Sequence, residues 1–261
     1  MKFLIQKCNG QVTHDFAFTL LESIRFKNWL TNTKDIKVRF VNTDTDADSI
    51  EHLRPSPLKE IHRNYVPIGS VEFVSFFLQK FYGLTPKPIN VPEELFEPYY
   101  THRPIINGNH MSLENLTGKW FVKSNDKIKG FAEVLMLNKN HVWNVSEGNY
   151  QISQYVTIES EWRAFVYEGK LVGLQNYAGE FTKFPSVDHI KSMIKTYKSA
   201  PVAYTLDVGV TDYATFVVEV HDFFSCGLYG FADHAILPNM FHKWFWQYIQ
   251  REMVEQRREK L

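Results

Sequence analysis

A short segment in the C-terminal third of the chain combines residue types that could hold a metal ion. Glu219 and His221 alternate with valines in the apolar run 216–221, and Asp222 follows directly. Side chains on a β-strand alternate between faces, so Glu219 and His221 share a face if this run is a strand. A carboxylate and an imidazole two residues apart can share a metal ion or a phosphate-bound metal ion.

A second apolar run, 202–210, contains one carboxylate, Asp207. If the two runs pair in a hairpin around residues 211–213 with even sums of facing residue numbers, Asp207 and Glu219 are same-face diagonal neighbours, roughly 7–8 Å apart. A slip of one residue would send them to opposite faces. The alternative is two solvated carboxylates at strand ends, although Asp and Glu are depleted in strands.

Three cationic residues lie within or just after apolar segments, where their side chains could bind a phosphate. Lys123 ends the run 120–123, and Lys129 lies in the turn that follows; a lysine leaving a strand can present its ammonium to a phosphate. The alternative is a surface hairpin with solvated lysines. Arg163 lies within the apolar run 162–167, where an unpaired charge would be costly. Its partner is Glu161, Asp207 or a ligand phosphate.

The elements that must position these residues can be predicted from hydrophobic spacing. Apolar runs at 2–6 and 36–41 flank a helical pattern over 16–30, which predicts a β-α-β start on a parallel sheet. A helix is expected over 71–81 with Ser70 as its N-cap, after a polar loop at 42–49. The remaining predicted strands are 120–123, 131–136, 151–158, 162–167, 171–177, 202–210 and 215–220. Two more helices are predicted, at 187–197 and from 239 to the C-terminus.

Composition narrows the protein class. The 261 residues are 44% hydrophobic and 15% aromatic, enough for a sizeable core. Lys+Arg and Asp+Glu are both 29, so no net charge attracts nucleic acid or an anionic membrane. Cys8 and Cys226 form no metal-binding or disulfide pattern, which suits a reducing compartment. Without a signal-peptide pattern or an apolar run of about 18 residues, we expect a cytoplasmic protein with no membrane partner and no clear nucleic-acid signal.

The order of these motifs resembles the ATP-grasp superfamily, and within it the R2K clade, which includes the cell-division-cycle protein 123 group and many phage proteins. The resemblance covers roughly residues 66–231 and is most specific in Ser160–Val166, Tyr204–Val210 and Val218–Asp222. It implies an α+β fold in which two α+β subdomains grip a nucleotide, preceded by a small α/β N-terminal domain. Because a proline-rich stretch continues to about residue 110, we expect domains at 1–110 and 111–261.

The resemblance also implies ATP and Mg²⁺ as cofactors and assigns roles to individual residues. The matching positions are Lys123 and Lys129 on the phosphates, Arg163 near the transferred phosphate, Gln154, Tyr155 and Val156 at the adenine, and Asp207 and Glu219 on magnesium. Lys129 and Arg163 would be the catalytic cations. The family usually has asparagine where this chain has His221, and imidazole is a poorer magnesium ligand than an amide oxygen. Either Asp222 contributes, or the second metal is weak, or His221 has another role.

The implied function is that of an ATP-dependent carboxylate–amine ligase that forms an acyl phosphate, with a peptide or protein as one candidate substrate. The sequence contains no nucleophile or Walker motif, which fits chemistry based on positioning and electrostatics. One alternative is an ATP-binding assembly factor or chaperone without net ligation, and another is a small-molecule phosphotransferase. A phage-encoded protein of this kind would act in the host cytoplasm. Neither the carboxylate nor the amine is identified by any motif.

Overall fold

The computed structural model describes residues 1–43, 63–138 and 145–258. Packing divides the chain into two units, the first containing Met1–Thr85, Pro201–Ala203 and Asp222–Leu261, and the second Pro86–Ala200 and Tyr204–His221. The predicted domains 1–110 and 111–261 have other boundaries than these packing units and stay a prediction. Most of the predicted polar loop 42–49 lies outside the described residues. No helix in the described ranges is long and apolar enough to cross a membrane.

The first unit contains a three-stranded parallel sheet in the order β2-β1-β3. The strands are β1 (Lys2–Cys8), β2 (Lys37–Thr43) and β3 (Val66–Ile68). Residues 3–5 of the central strand are fully buried, as expected for a parallel sheet covered on both faces. Helix α1 (Asp15–Thr31) connects β1 to β2, so the predicted β-α-β start is confirmed.

Helix α1 buries the first part of its predicted apolar face but not the last. Phe16, Leu20 and Ile24 are buried, whereas Trp29 is 75% exposed and Leu30 is 63% exposed. The apolar pattern therefore continues for about a turn beyond the residues that pack against the unit. Asn32, the residue after the helix, is its C-cap and has the left-handed conformation that is common at this position.

Two further helices in the described part of this unit follow the sequence prediction closely. Helix α2 spans Val71–Tyr82, and the hydroxyl of Ser70 accepts a hydrogen bond from the Phe73 N–H at 3.2 Å, which confirms the predicted N-cap. The final helix of the chain spans Leu237–Arg258, two residues earlier than predicted at its start. Its buried face contains Met240, Phe241, Trp244, Phe245, Tyr248 and Ile249.

The second unit contains two four-stranded sheets. The first, called here the β4 sheet, has the order β4-β7-β5-β6, and its strands are β4 (Ile105–Asn109), β5 (Gly118–Ser124), β6 (Ala132–Leu137) and β7 (Asn149–Gln154). The second, called the β8 sheet, has the order β11-β10-β8-β9, and its strands are β8 (Ser160–Tyr167), β9 (Lys170–Gly179), β10 (Ala203–Val210) and β11 (Thr215–Asp222). All seven strands predicted after residue 119 are present.

Two features of these sheets differ from the prediction. The predicted strand 151–158 ends at Gln154, and residues 155–159 instead form a segment that connects the two sheets. Strand β4 was not predicted, because Asn107-Gly108-Asn109 has the composition of a turn. It forms by pairing with β7, where Ile105 faces Ser153.

Each sheet of the second unit has its own apolar core. A large core forms between one face of the β8 sheet, helix α4 (Val187–Thr196) and the segments that precede β4. Those segments include the short helix α3 (Pro98–Thr101). A smaller core lies on the β4 sheet around Val122 and Ile152, both fully buried. The face of the β8 sheet opposite its large core carries most of the polar residues described next.

Candidate functional site

A buried ion pair joins the two central strands of the β8 sheet. Arg163 Nε donates to Asp207 Oδ1 at 2.8 Å, and Arg163 Nη2 donates to Asp207 Oδ2 at 2.7 Å. Asp207 is 1% exposed and Arg163 is 7% exposed. Of the three partners that the sequence left open for Arg163, Asp207 is the one with which it forms this ion pair. The paired geometry offsets much of the cost of burying both charges.

The predicted group of Asp207, Glu219 and His221 forms in the second unit. One ligand atom from each residue lies within 4.8 Å of the others. His221 Nε2 is 2.6 Å from Glu219 Oε1 and 3.9 Å from Asp207 Oδ2. Two carboxylates and an imidazole that converge in this way form a suitable donor set for a divalent cation, with the oxygens as the ligands that magnesium prefers.

The hairpin turn by itself would not bring Asp207 and Glu219 together. The turn between β10 and β11 is closed by a hydrogen bond from Thr211 N–H to the Ala214 carbonyl at 2.9 Å. The residue numbers that face each other across the turn therefore have an odd sum. With strict alternation, an odd sum would place Asp207 and Glu219 on opposite faces.

An irregularity within β11 corrects the register. Val217 and Val220 both belong to the large core although they are three residues apart, so strict alternation is broken between them. Val218 and Glu219, the two residues in between, both line the cavity described below. One extra residue in an antiparallel strand has this effect, and it returns Glu219 to the face of Asp207.

Lys123 of the β4 sheet reaches this group of carboxylates. Its ammonium is ion-paired with Glu219 Oε2, and both side chains are 22% exposed. Burial lowers the pKa of Lys123 to about 8; Asp207 opposes this shift, and Arg163 adds to it. A cation of the β4 sheet and a carboxylate of the β8 sheet thus neutralise each other next to Asp207 and His221.

Glu161 and Tyr177 form a second polar pair next to Arg163. The Tyr177 hydroxyl donates to Glu161 Oε2 at 2.6 Å, and the Arg163 guanidinium lies 5.6 Å from the centre of the Tyr177 ring. Burial raises the pKa of Tyr177, and the charge of Asp207 raises it further. The phenol therefore stays protonated and remains a donor at neutral pH.

Of these groups, Lys123, Glu161, Tyr177 and Glu219 line one end of a cavity of about 430 Å³ in the second unit. Arg163, Asp207 and His221 are adjacent to them but are not among the lining residues. Its other end is formed by the segment that connects the two sheets, including Gln154, Tyr155 and Val156, whose role at a base stays a prediction. The apolar walls between the two ends contain Phe121, Ala132 and Val134 from the β4 sheet and Ile158, Phe216 and Val218 from the other side.

The connecting segment is anchored at its start by backbone hydrogen bonds. The Gln154 N–H donates to the Pro104 carbonyl at 3.0 Å, and the Tyr155 N–H donates to the Lys119 carbonyl at 3.0 Å. The Lys119 ammonium also lies 3.6 Å from the centre of the Tyr155 ring. The segment is thus fixed against the β4 sheet where it begins to line the cavity.

Two residues predicted for the site lie elsewhere. Lys129 is exposed in the loop between β5 and β6, in the left-handed conformation with φ 55°, and is not among the residues that line the cavity. Asp222 is not part of the metal-binding group. Its Oδ1 accepts a hydrogen bond from Trp244 Nε1 at 2.7 Å, and the residue is buried.

Six polar residues that line the cavity were missed as site residues from the sequence: Asn90, Arg103, Gln151, Ser153, Glu161 and Tyr177. Asn90 and Arg103 lie in the proline-rich stretch that the sequence suggested as a domain boundary, where no pattern marked them. Asn90 has φ 56°, and its carbonyl accepts from the Val220 N–H at 2.8 Å. Asn90 and Arg103 reach the cavity through hydrogen bonds to Val220 and Val217, which are distant from them in sequence.

The two sheets, the connecting segment and the cations opposite carboxylates define an ATP-grasp fold. The family model "ATP-grasp domain, R2K clade family 2" matches residues 100–238, and the chain belongs to this family. The expected α+β fold class is therefore confirmed.

Solved structures share this fold at low sequence identity. D-alanine–D-alanine ligase from Bacillus anthracis is 12% identical with a TM-score of 0.51, covering 97% of this chain and 99% of that one. N5-carboxyaminoimidazole ribonucleotide synthetase from Thermotoga maritima is 10% identical with a TM-score of 0.53, covering 93% of this chain and 76% of that one. The comparison with curated proteins finds no significant match.

Proposed function

We propose that this protein is an ATP-dependent carboxylate–amine ligase. The observation that carries the proposal is the arrangement of the cavity. Lys123, Glu219 and Tyr177 line one end, with the buried pair of Arg163 and Asp207 next to Tyr177, and the other end is an anchored backbone segment with apolar walls. Such a cavity suits a nucleotide whose triphosphate and metal ion lie at the charged end and whose base lies at the connecting segment.

The ion pairs of Lys123 with Glu219 and of Arg163 with Asp207 suggest how the site would bind the phosphates. The ammonium of Lys123 is held by Glu219, so it is already in position when a phosphate replaces the carboxylate as its partner. Arg163 keeps its bidentate contact with Asp207 and adds positive charge behind the phosphate site. Lys129, in its exposed loop, is proposed to reach the phosphates from outside the cavity.

Magnesium fits the donor set of this site. Asp207 and Glu219 would hold it through oxygen atoms, because a carboxylate that accepts hydrogen bonds still has lone pairs for a cation. His221 would be a third, weaker ligand in its neutral form. A bound magnesium ion would neutralise charge on the transferring phosphoryl group, and the role of these side chains is to fix its position.

The proposed reaction has two steps. A carboxylate oxygen of the substrate attacks the γ-phosphorus of ATP, the bond to the bridging oxygen breaks, and ADP leaves. An amine nitrogen then attacks the acyl carbon and loses a proton, and phosphate leaves as the amide bond forms. Neither step needs a protein nucleophile, so the cations of the site contribute through positioning and charge.

A second candidate is an assembly factor that binds ATP and a protein partner without joining them. His221 favours this alternative, because imidazole is a weaker magnesium ligand than an amide oxygen. A peptide or protein substrate, a cytoplasmic location and a phage or bacterial origin likewise stay proposals. Release of ADP that requires both a carboxylate and an amine would identify a ligase, and ADP release with a protein partner alone would identify the alternative.

Calorimetric titration with a non-hydrolysable ATP analogue tests the common basis of both candidates. We expect binding in the presence of magnesium and weaker binding after chelation with EDTA. No binding at millimolar analogue would contradict the proposal, since every step described above needs the nucleotide in this cavity.

A further inference from the structure

Arg103 lines the cavity and, unlike Arg163, has no acidic partner among the described residues. It lies between α3 and β4, and its Nη1 donates to two backbone carbonyls, those of Thr101 at 3.1 Å and Val217 at 2.9 Å. Its guanidinium carbon lies 5.1 Å from the centre of the Phe216 ring. These three contacts fix the orientation of the guanidinium.

The rest of the group has no partner in the described part of the chain. Neither Nε nor Nη2 donates a hydrogen bond there, and no carboxylate lies within ion-pair distance. Burial lowers the pKa of Arg103 to about 10, so it still carries its charge at neutral pH. The guanidinium is half-buried and lines the cavity, so its unused donors are available to a ligand that supplies an acceptor.

The position of Arg103 indicates which part of a ligand it meets. The carbonyl of Pro104, the next residue, accepts from the Gln154 N–H at the start of the connecting segment. Lys123, in contrast, faces Gln151 across the pairing of β5 and β7. Gln151 and Gln154 are three residues apart on β7, a distance of about 10 Å. Arg103, next to the partner of Gln154, therefore lies at the base end of the cavity, and Lys123, opposite Gln151, lies at the phosphate end.

We propose that Arg103 donates a hydrogen bond to a ring nitrogen of the purine base and so determines which bases this cavity accepts. This inference rests on the proposed nucleotide binding and adds the residue that recognises the base. Adenine offers ring nitrogens as acceptors on its edges, and a guanidinium held by two carbonyls and an aromatic ring is pre-oriented to meet one of them.

Deaza analogues of ATP test this proposal on the unmodified protein. Affinities would be measured by calorimetry for ATP and for its 1-deaza, 3-deaza and 7-deaza analogues. We expect one analogue to bind about tenfold or more weakly, because a hydrogen bond from a charged donor is lost, and the other two to bind like ATP.

Substitution then identifies the donor. Arg103→Met should bind ATP and the affected analogue equally, and Arg25→Met, at an exposed arginine paired with Glu22, should retain the wild-type preference. Equal binding of all four nucleotides by the wild type, or an unchanged loss in Arg103→Met, would overturn the inference while leaving the proposed function intact. Failure of the wild type to bind ATP at all would overturn both.

Discussion

Two ion pairs of the candidate site differ in how far their side chains are buried. On the β8 sheet, Arg163 and Asp207 form a bidentate pair with side chains 9% and 1% exposed. Between the β4 sheet and β11, Lys123 and Glu219 form a pair in which both side chains are 22% exposed. The first pair is buried, whereas the second is partly accessible to solvent. We infer that the first pair positions the site and that the second receives the ligand.

The largest expected effect on stability comes from breaking the buried pair. Arg163→Met should lower the free energy of unfolding by about 3–5 kcal/mol, because Asp207 is left buried without its partner. Urea denaturation followed by circular dichroism would measure this. The double variant Arg163→Met/Asp207→Leu should recover much of the loss. If the single variant lost less than about 1 kcal/mol, the pair would not be a fixed part of the fold.

The largest expected effect on activity comes from Glu219. Glu219→Gln should lower ATP-dependent turnover by about a hundredfold or more, because an amide cannot replace the charge of the carboxylate. The fold should be retained, which thermal unfolding would check. Glu180→Gln, at an exposed glutamate that accepts hydrogen bonds from Thr182, is the matched control. Turnover within a factor of two of the wild type would show that Glu219 is not a ligand.

Lys123 should have a moderate effect that depends on pH. A phosphate binds the charged ammonium, and the pKa of Lys123 is lowered to about 8, so its charge is lost as the pH rises through that value. Affinity for an ATP analogue should therefore fall about tenfold between pH 7 and pH 9. Lys123→Met should remove this dependence and weaken binding at pH 7. A wild-type affinity that does not change with pH would argue against a phosphate contact.

The smallest expected effect concerns His221. His221→Asn should tighten magnesium binding in the presence of nucleotide by a few-fold, since an amide oxygen is a better magnesium ligand than imidazole. Competition with Mn²⁺, followed by electron paramagnetic resonance, would measure the change without relying on turnover. Unchanged or weaker magnesium binding in the variant would indicate that His221 has a role other than metal binding.

The parts of the fold and of the site that depend on local sequence patterns could be predicted from the sequence. The strands around Asp207 and Glu219 follow from alternation, and the cost of a buried charge indicates that Arg163 needs a partner, although the sequence left Glu161, Asp207 and a ligand phosphate open. The irregularity in β11 could not be predicted, because it becomes visible only when Val217 and Val220 are both found in one core. The even register assumed from the sequence was therefore wrong at the turn, although the resulting contact was right.

Residues that reach the cavity from segments distant in sequence were harder to predict, because long-range packing brings them there. Strand β4 forms only because β7 provides a partner, and Arg103 and Asn90 reach the cavity through such long-range packing. Asp222, adjacent in sequence to the metal-binding group, instead accepts a hydrogen bond from Trp244. Proximity in sequence was a poor guide for Asp222, because neighbouring residues on a strand point to opposite faces.

A crystal structure with magnesium and a non-hydrolysable ATP analogue tests the central claim most directly. The claim predicts that the Lys123 ammonium has left Glu219 for a phosphate oxygen and that a Glu219 oxygen lies about 2.1 Å from the metal ion. The contact between Arg163 and Asp207 should be unchanged. A bound nucleotide with Lys123 still paired to Glu219, and with no metal ion at Glu219, would contradict the claim.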